Sequence, residues 1–320
     1  MGDIGSFISE ASLWLPARTV DSAWTEHAPF AFWLMQHHRP RILVELGTHS
    51  GFSFLVFCQA IERLALPARA YAVDTWKGDE HAALYGEEVL DALRKYQTER
   101  YSAFSQLVRS TFDDALARFE DRSVDLLHID GRHFFEDVRH DFDCWMPKLS
   151  DRAVVLFHDT SERQRGFGVF RLWADIVQRY PHFEFVHGYG LGVLGVGTKL
   201  PPEVRALFDA SDFDRQAEKV RDLYARLGGY LTECAMRSKA EAAVASALEV
   251  RARLATESAG KDADLRERID EMSDLRAQID NIHRSWSWRL TAPLRRIRGA
   301  GGFRASLSRR GRAAREPDGE

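Results

Sequence analysis

The sequence predicts an α/β fold with a doubly wound, mostly parallel seven-stranded sheet, followed by a helical or coiled-coil extension. Apolar, strand-like runs alternate with helical patterns between residues 41 and 199, an order typical of a parallel sheet with helices on both faces. Gly188-Tyr189-Gly190 is too short for a crossover helix, so we expect the last two strands to form an antiparallel hairpin. The predicted strands are 42–46, 70–73, 104–108, 124–129, 154–157, 183–187 and 191–196.

The amino-acid composition limits the broad class of protein to which this chain can belong. The chain has 320 residues, of which 45% are hydrophobic and 29% charged, as expected for a soluble globular protein of one large or two modest domains. The net charge of −4 gives no bias toward nucleic acid, and we expect no nucleic-acid partner. No stretch resembles a signal peptide or a membrane span, so we expect a cytoplasmic location. Cys58 and Cys144 lie in apolar surroundings, which predicts buried free thiols.

The pattern divides the chain into five segments. These are a helical lead-in (1–40), the sheet domain (41–200), a helical extension (201–237), a coiled coil or long helix (238–284), and a basic, partly disordered tail (285–320). Aromatic residues recur in the lead-in at Trp14, Trp24, Phe30, Phe32 and Trp33. Two interpretations stay open for them: packing on the sheet, or a lid over a substrate.

The C-terminal third of the chain carries an amphipathic pattern. Apolar residues keep a three-and-four spacing at Leu265, Ile269, Met272, Leu275, Ile279 and Ile282. Since Gly260 interrupts the pattern, the seam is about three heptads long, and we expect self-association or partner binding through it. Residues 285–315 contain nine arginines and no acid. This tail is either a solvated, disordered segment after Gly299 or a contact with an anionic membrane surface at the inner face.

The most informative stretch runs from Glu45 to Gly51. An apolar strand ends in an acid, then a loop with two glycines leads into an apolar helix, which predicts a ligand-binding turn at a helix N-terminus. The candidate binding residues here are Glu45, Gly47, Thr48, Ser50 and Gly51. Glu45 and Thr48 break the dinucleotide fingerprint G-x-G-x-x-G, which disfavours an NAD-linked dehydrogenase.

The next two strand ends supply further ligand-binding candidates. Asp74 ends the second strand, where an acid can accept hydrogen bonds from both ribose hydroxyls; the alternative is a helix N-cap. Trp76 is placed to stack on a flat ring. Ser110, after the third strand, is a candidate contact for an adenine base, and Ser110 or Thr111 is expected to cap the following helix.

Asp130 follows the fourth strand, and His158 and Asp159 follow the fifth. Taken singly, each is explained as a cap or loop residue, but adjacent strand ends bring them around one point. Carboxylates gathered there repel unless a cation or proton lies between them. Oxygen ligands suit Mg²⁺, and a histidine ligand makes Mn²⁺ the alternative. His133 is the candidate general base, because an unperturbed imidazole titrates near neutral pH; the alternative is a hydrogen-bonded loop histidine.

The assembled residues resemble the class I S-adenosylmethionine-dependent methyltransferases over roughly residues 40–198. The motif E/D-x-G-x-x-x-G of that family matches Glu45 to Gly51, and its ribose-binding acid corresponds to Asp74. The pattern I-D-G-x-H-x-x-E-x-V-x-x-D, from Ile129 to Asp141, is similar to the branch of macrolide-sugar O-methyltransferases and cephalosporin-biosynthesis methyltransferase-like proteins. That resemblance implies catalysis through Mg²⁺ held by Asp130, His158 and Asp159, with His158 in place of an acid.

The function implied is transfer of a methyl group from S-adenosylmethionine to a sugar hydroxyl. The segment from Ser285 to Arg296 is similar to an S-x-S-W-R-x-T-x-P-L-R motif near coiled coils in bacterial cell-surface polysaccharide proteins, which favours a glycan acceptor. Two alternatives stay open. One is O-methylation of a small catechol-like or lipid-linked molecule, and the other is a non-catalytic scaffold for a biosynthetic complex.

Overall fold

The computed structural model describes residues 4–79, 83–211 and 214–292. The chain forms two compact units, 1–240 and 241–320. The strands are β1 (Ile42–Leu46), β2 (Arg69–Asp74), β3 (Gly78–Asp79), β4 (Ala83–Leu84), β5 (Ser105–Arg109), β6 (Val124–Ile129), β7 (Leu149–His158), β8 (His182–Phe185) and β9 (Leu191–Gly195). The α-helices are α1 (Ala28–His38), α2 (Phe52–Arg63), α3 (Glu87–Arg100), α4 (Phe112–Ala115), α5 (Phe135–Trp145), α6 (Val169–Ile176), α7 (Pro202–Ser211), α8 (Asp214–Arg284) and α9 (Trp286–Leu290).

Within the described residues, seven strands form one sheet in the order β5-β2-β1-β6-β7-β9-β8. All pairings from β5 to β7 are parallel, whereas β9 is antiparallel to both β7 and β8. The predicted fold class and its C-terminal hairpin are therefore confirmed. Strand order reverses between β1 and β6, the point where ligands bind in open α/β sheets.

Both faces of the sheet carry an apolar core. Side chains alternate along each strand, so Leu43 joins one buried cluster and Val44 the other. Helices α1, α2 and α7 pack on the first face, and α4, α5 and α6 on the second. Because both faces are covered, the central strands are mostly apolar and are buried along nearly their whole length. β1 and β6 have the bounds that the sequence predicted.

The predicted strands differ most from the observed ones at two places, and elsewhere their ends differ by at most two residues. β7 begins at Leu149, five residues before the predicted start, because Ser150, Asp151 and Arg152 interrupt the apolar pattern although they continue the strand. A separate antiparallel pair, β3 with β4, was not predicted. These two-residue strands are too short to leave a periodic signal in the sequence.

The lead-in consists of three 3₁₀ turns, Ile4–Phe7, Ala11–Leu13 and Ala23–His27, followed by α1. The rings of Trp24, Phe30, Phe32 and Trp33 are buried. α1 is apolar on all sides, because the first part of α8 also packs on it: the Phe30 and Tyr224 rings are 5.6 Å apart. The lead-in therefore packs on the sheet domain, and residues 21–24 also line a cleft described below.

The second unit contains the rest of α8 and α9. The six apolar residues predicted to form a coiled-coil seam lie on α8, and each side chain is more than half exposed. Self-association through this seam stays a prediction. The first residues of the predicted basic tail form α9, and the rest of the tail, including Arg295, Arg296 and the segment after Gly299 that was predicted to be disordered, lies outside the described residues. None of the helices in the described part of the chain combines the length and apolar character of a membrane span.

His38, at the end of α1, gives the fold a defined pH dependence. Its side chain is fully buried, and Nε2 donates to the Asp125 carbonyl at 2.8 Å. Burial lowers the pKa of His38 to about 4, although the Asp125 carbonyl partly offsets this. The unfolded chain, with a histidine pKa near 6.5, binds more protons between these values, so stability falls as pH decreases from 6.5 to 4.

We expect His38→Gln to reduce the acid-induced loss of unfolding free energy by about 3 kcal/mol between pH 6.5 and 4. The measurement is denaturant unfolding at several pH values, followed by near-ultraviolet circular dichroism. His283→Gln, at an exposed position on α8, is the control and should keep the wild-type pH profile. Equal acid losses in His38→Gln and the wild type would contradict this assignment.

Candidate active site

The loop between β1 and α2 is shaped by two glycines in the left-handed region. Gly47 has φ of 85° and Gly51 has φ of 81°. A Cβ on Gly47 would lie 2.2 Å from the carbonyl oxygen of Asp130, and one on Gly51 would lie 2.4 Å from the Leu93 side chain. The loop therefore passes directly against the β6 strand end, which only glycine allows.

Asp74 holds this loop in place. Its Oδ2 accepts hydrogen bonds from the backbone N–H groups of Thr48 and His49 at 2.8 and 2.9 Å. Its Oδ1 accepts from the Trp76 backbone N–H at 2.7 Å. Asp74 lines the adjacent cleft as predicted, and the carboxylate keeps acceptor capacity beyond these three bonds.

Trp76 has an environment other than the predicted one, whereas the contact of Ser110 with an adenine base stays a prediction. The Trp76 ring is 2% exposed in the core, and its Nε1 donates to the His49 carbonyl at 3.0 Å, so it fixes the loop and is not placed to stack on a ligand. The Ser110 backbone N–H donates to the Asp74 carbonyl at 3.0 Å. Thr111, not Ser110, caps α4, by accepting from the Asp114 N–H at 3.2 Å.

A cleft of about 240 Å³ opens at the reversal of strand order. Residues from four strand ends line it, among them Thr48, Asp74, Thr111, Phe112, Asp130 and His133. Phe112 and Tyr85, which also lines the cleft, are aromatic residues that the sequence analysis missed. Phe112 follows a strand end and a helix cap, so its place beside the cleft could have been predicted from the sequence. Tyr85 follows a short strand that has no recognisable pattern, so its place could not.

Glu45 lies behind the loop, in a buried chain of hydrogen bonds. Trp24 Nε1 is 3.1 Å from His128 Nε2, and His128 Nδ1 is 2.9 Å from Glu45 Oε2. An indole nitrogen only donates, so His128 is neutral and donates from Nδ1 to the carboxylate. Burial raises the pKa of Glu45, partly offset by His128 and Ser53. Glu45 was predicted to contact the ligand directly. In the structure its carboxylate instead accepts the hydrogen bond from His128 and so supports the strand.

Asp130, His133, His158 and Asp159 meet in one cluster, as the strand ends predicted for three of them. His133 Nε2 lies 3.4 Å from Asp130 Oδ1 and 3.0 Å from Asp159 Oδ2. His158 Nδ1 lies 3.2 Å from Asp130 Oδ1 and 3.4 Å from Asp159 Oδ2. The two carboxylates are thus bridged by two imidazoles.

The prediction that His133 is a base poised near neutral pH is not matched by this environment. Burial alone would lower the pKa of His133, but the hydrogen bonds that its ring donates to Asp130 and Asp159 raise it to about 9. The charge of His158, together with hydrogen bonds from His133 and His158, holds the pKa of Asp130 well below its usual range against the effect of burial. Without another cation in the cluster, His133 is therefore protonated at neutral pH and cannot accept a proton.

His158 presents one nitrogen to the cluster. Its Nε2 lies 3.2 Å from the Gly188 carbonyl, so that nitrogen carries a proton and donates it. His27 Nε2 donates to the same carbonyl at 3.0 Å. His158 Nδ1 then faces two carboxylates, which is favourable only if it is protonated or if its lone pair binds a cation.

These residues fit a divalent cation. Ligand atoms from Asp130, His133 and Asp159 lie within 4.8 Å of one another, and His158 Nδ1 adds a fourth candidate. A set of two carboxylates and imidazole nitrogens suits Mn²⁺ or a similar transition metal, and Mg²⁺ through its oxygen ligands. His133 extends the predicted ligand set of Asp130, His158 and Asp159, because sequence alone could not show that its ring turns toward both carboxylates.

A second cleft, of about 260 Å³, lies on the other side of the cluster. It shares Thr48, Asp130 and His133 with the first cleft and also reaches His158 and Asp159. Its remaining wall combines the turn at residues 21–24 with Ser50, Phe52 and Ser53. The cluster thus stands between two compartments, one beside Asp74 and one beside the lead-in.

Comparison with known proteins agrees with this architecture. Residues 44–160 match the family model described as a methyltransferase domain, and this range runs from β1 to the end of β7. This part of the chain is therefore similar to a methyltransferase domain.

A curated relative, the uncharacterized protein y4gI of Sinorhizobium fredii, is 50% identical over 192 residues, which cover 59% of this chain and 21% of that protein. The chain thus spans about one fifth of the length of this relative. Among solved structures, the O-methyltransferase TomG of Streptomyces achromogenes, in complex with SAM, has a TM-score of 0.41 at 14% identity and covers 57% of this chain and 83% of that one. A Bacillus cereus O-methyltransferase in complex with SAH has a TM-score of 0.41 at 15% identity, covering 57% and 84%.

Proposed function

We propose that this chain is an S-adenosylmethionine-dependent O-methyltransferase that acts on a sugar hydroxyl with the help of a divalent metal. The observation that carries this proposal is the cluster of Asp130, His133, His158 and Asp159 between two clefts. A group-transfer enzyme needs donor and acceptor on opposite sides of such a point. The methyltransferase domain match supports the type of donor.

The cleft beside Asp74 suits the nucleoside end of the donor. The Asp74 carboxylate is fixed by three backbone N–H groups and can accept from ribose hydroxyls. Phe112 and Tyr85 offer aromatic surface for the base. The loop at Gly47 and Thr48 would then lead the methyl-bearing end toward Asp130.

The cleft beside residues 21–24 suits the acceptor. Asp21, Ser22, Ser50 and Ser53 line it and provide several hydrogen-bonding side chains. A polyhydroxylated acceptor uses such a wall better than a flat aromatic molecule, which favours a sugar over a catechol. The resemblance of residues 129–141 to the macrolide-sugar branch and the motif after Ser285 point in the same direction.

The reaction is a displacement at carbon. The acceptor hydroxyl loses its proton, its oxygen attacks the methyl carbon, and the carbon–sulfur bond breaks to leave a neutral thioether. A divalent cation at the cluster would lower the pKa of the bound hydroxyl and fix its oxygen in line with the methyl group. Asp130, His158 and Asp159 would hold this cation, and its charge would displace the proton from His133. That imidazole could then accept a proton through a ring nitrogen that does not bind the metal.

We expect removal of divalent metal to slow methyl transfer by about 100-fold, since metal assistance supplies several kcal/mol of activation free energy. The measurement is S-adenosylhomocysteine formation by chelator-treated enzyme with a panel of sugars, nucleotide sugars and catechols. Mg²⁺ and Mn²⁺ are then added back separately. An unchanged rate after chelation would refute the metal assistance.

Calorimetry with S-adenosylhomocysteine separates the enzyme from the scaffold alternative. Binding to the chelator-treated protein is expected, because the Asp74 side of the cleft needs no metal. Absence of binding would favour the non-catalytic scaffold. Turnover confined to catechols would keep the enzyme and replace the acceptor.

A further inference from the structure

A second group of metal-ligand side chains lies on the surface between α4 and α5. Asp113 belongs to α4, and His140 and Cys144 belong to α5. Residues four apart on a helix share one face, so the imidazole and the thiol point to the same side. The apolar neighbours of Cys144 in the sequence predict a buried thiol, but Cys144 is half-buried in the structure, with its sulfur beside His140.

The distances in this group match a tetrahedral zinc site. His140 Nε2 lies 2.9 Å from Asp113 Oδ1 and 3.6 Å from Cys144 Sγ. Ligand bonds of about 2.0 Å to nitrogen or oxygen and 2.3 Å to sulfur place nitrogen and sulfur about 3.5 Å apart, and nitrogen and oxygen about 3.3 Å apart. The atoms of all three residues lie within 4.8 Å of one another, so small side-chain movements would complete the geometry.

The surroundings of this group favour binding of a cation that keeps one coordination position open to solvent. The side chains of Asp113 and His140 are 59% and 55% exposed, which leaves room for water as a fourth ligand. Asp137 and Asp143 lie on the same helix and add negative charge near the group. A thiolate with an imidazole selects Zn²⁺ and similar metals over Mg²⁺.

We infer that Asp113, His140 and Cys144 form a binding site for Zn²⁺ or a comparable thiolate-binding transition metal, separate from the cluster at Asp130 and Asp159. Metal uptake would release the proton of the Cys144 thiol and the proton that His140 shares with Asp113. The bound ion would join α4 to α5. Since Phe112 starts α4 and lines the first cleft, this ion would also restrain an aromatic wall of that cleft.

Cobalt titration of the full chain under reducing conditions tests this inference. We expect a thiolate-to-cobalt charge-transfer band in the near ultraviolet that saturates at one ion per chain and is displaced by Zn²⁺. Cys144→Ser should abolish the band, and His140→Gln should weaken binding at least tenfold, since even residues that only orient a ligand change affinity by about 10- to 100-fold. Cys234→Ser, at another half-buried cysteine, should keep the band.

A variant that combines Asp130→Asn with Asp159→Asn distinguishes metal binding at the surface site from metal binding at the active-site cluster. It should retain the thiolate band in full, because the active-site cluster contains no cysteine. No band in the wild type, or a band that persists in Cys144→Ser, would overturn the inference. Circular dichroism confirms that each variant is folded before titration.

Discussion

Asp159→Asn is expected to lower methyl transfer by about 100- to 1,000-fold while cofactor affinity changes less than about threefold. The substitution removes one of two carboxylates that would hold the metal, and metal assistance supplies several kcal/mol. Asp159 has φ of 63°, a left-handed conformation that asparagine tolerates well. The change therefore removes charge and leaves the backbone in place. The measurement pairs initial rates with calorimetric titration of S-adenosylhomocysteine.

Asp175→Asn, at an exposed ion pair with Arg139, is the control and should leave the rate unchanged. Asp130→Asn should lower the rate at least as much as Asp159→Asn, because Asp130 lines both clefts. Wild-type rates of methyl transfer in both active-site variants would contradict the metal-binding role assigned to the cluster.

Gly47→Ala is expected to abolish measurable cofactor binding and to destabilise the sheet domain by about 2–4 kcal/mol. The new Cβ would lie 2.2 Å from the Asp130 carbonyl oxygen. That carbonyl cannot easily retreat, because the Asp130 backbone N–H is bonded to the Leu46 carbonyl at 2.8 Å. Thermal unfolding and S-adenosylhomocysteine titration measure the two effects.

Gly229→Ala provides the matched comparison, because no atom lies within 4 Å of the added Cβ in α8. Alanine is the better helix former, so this variant should be as stable as the wild type or slightly more stable. Cofactor binding by Gly47→Ala at wild-type affinity would show that the loop does not shape the site.

The sequence could predict the sheet because its central strands are buried on both faces. β1 and β6 are mostly apolar runs whose ends the pattern located, and the glycine loop and strand-end acids followed from them. The first residues of β7 were not predicted because they include polar side chains. The hydroxyl of Ser150 donates to the Asp125 carboxylate at 2.6 Å, so this polar residue is accommodated within the strand. A polar residue with such a partner continues a strand without an apolar signal.

Side-chain direction explains most of the errors at the site. Trp76 was expected in the cleft, but its backbone has φ of 51°, and the ring turns into the core. His133 was expected to have an ordinary pKa, since no pattern shows that Asp130 and Asp159 both reach its ring. The Gly188 carbonyl accepts hydrogen bonds from His27 and His158. A backbone acceptor of this kind cannot be predicted from residue type.

The hydrogen bond from Trp24 to His128 has a consequence for how this protein could diversify. It fastens a short turn of the lead-in to a central strand, while the neighbouring side chains of that turn face the second cleft. Residues 21–23 line the second cleft and not the first, so in the proposed function they would contact the acceptor and not the donor. Exchange of residues 21–23, with the tryptophan anchor kept, would redirect the choice of acceptor and leave the handling of the methyl donor intact.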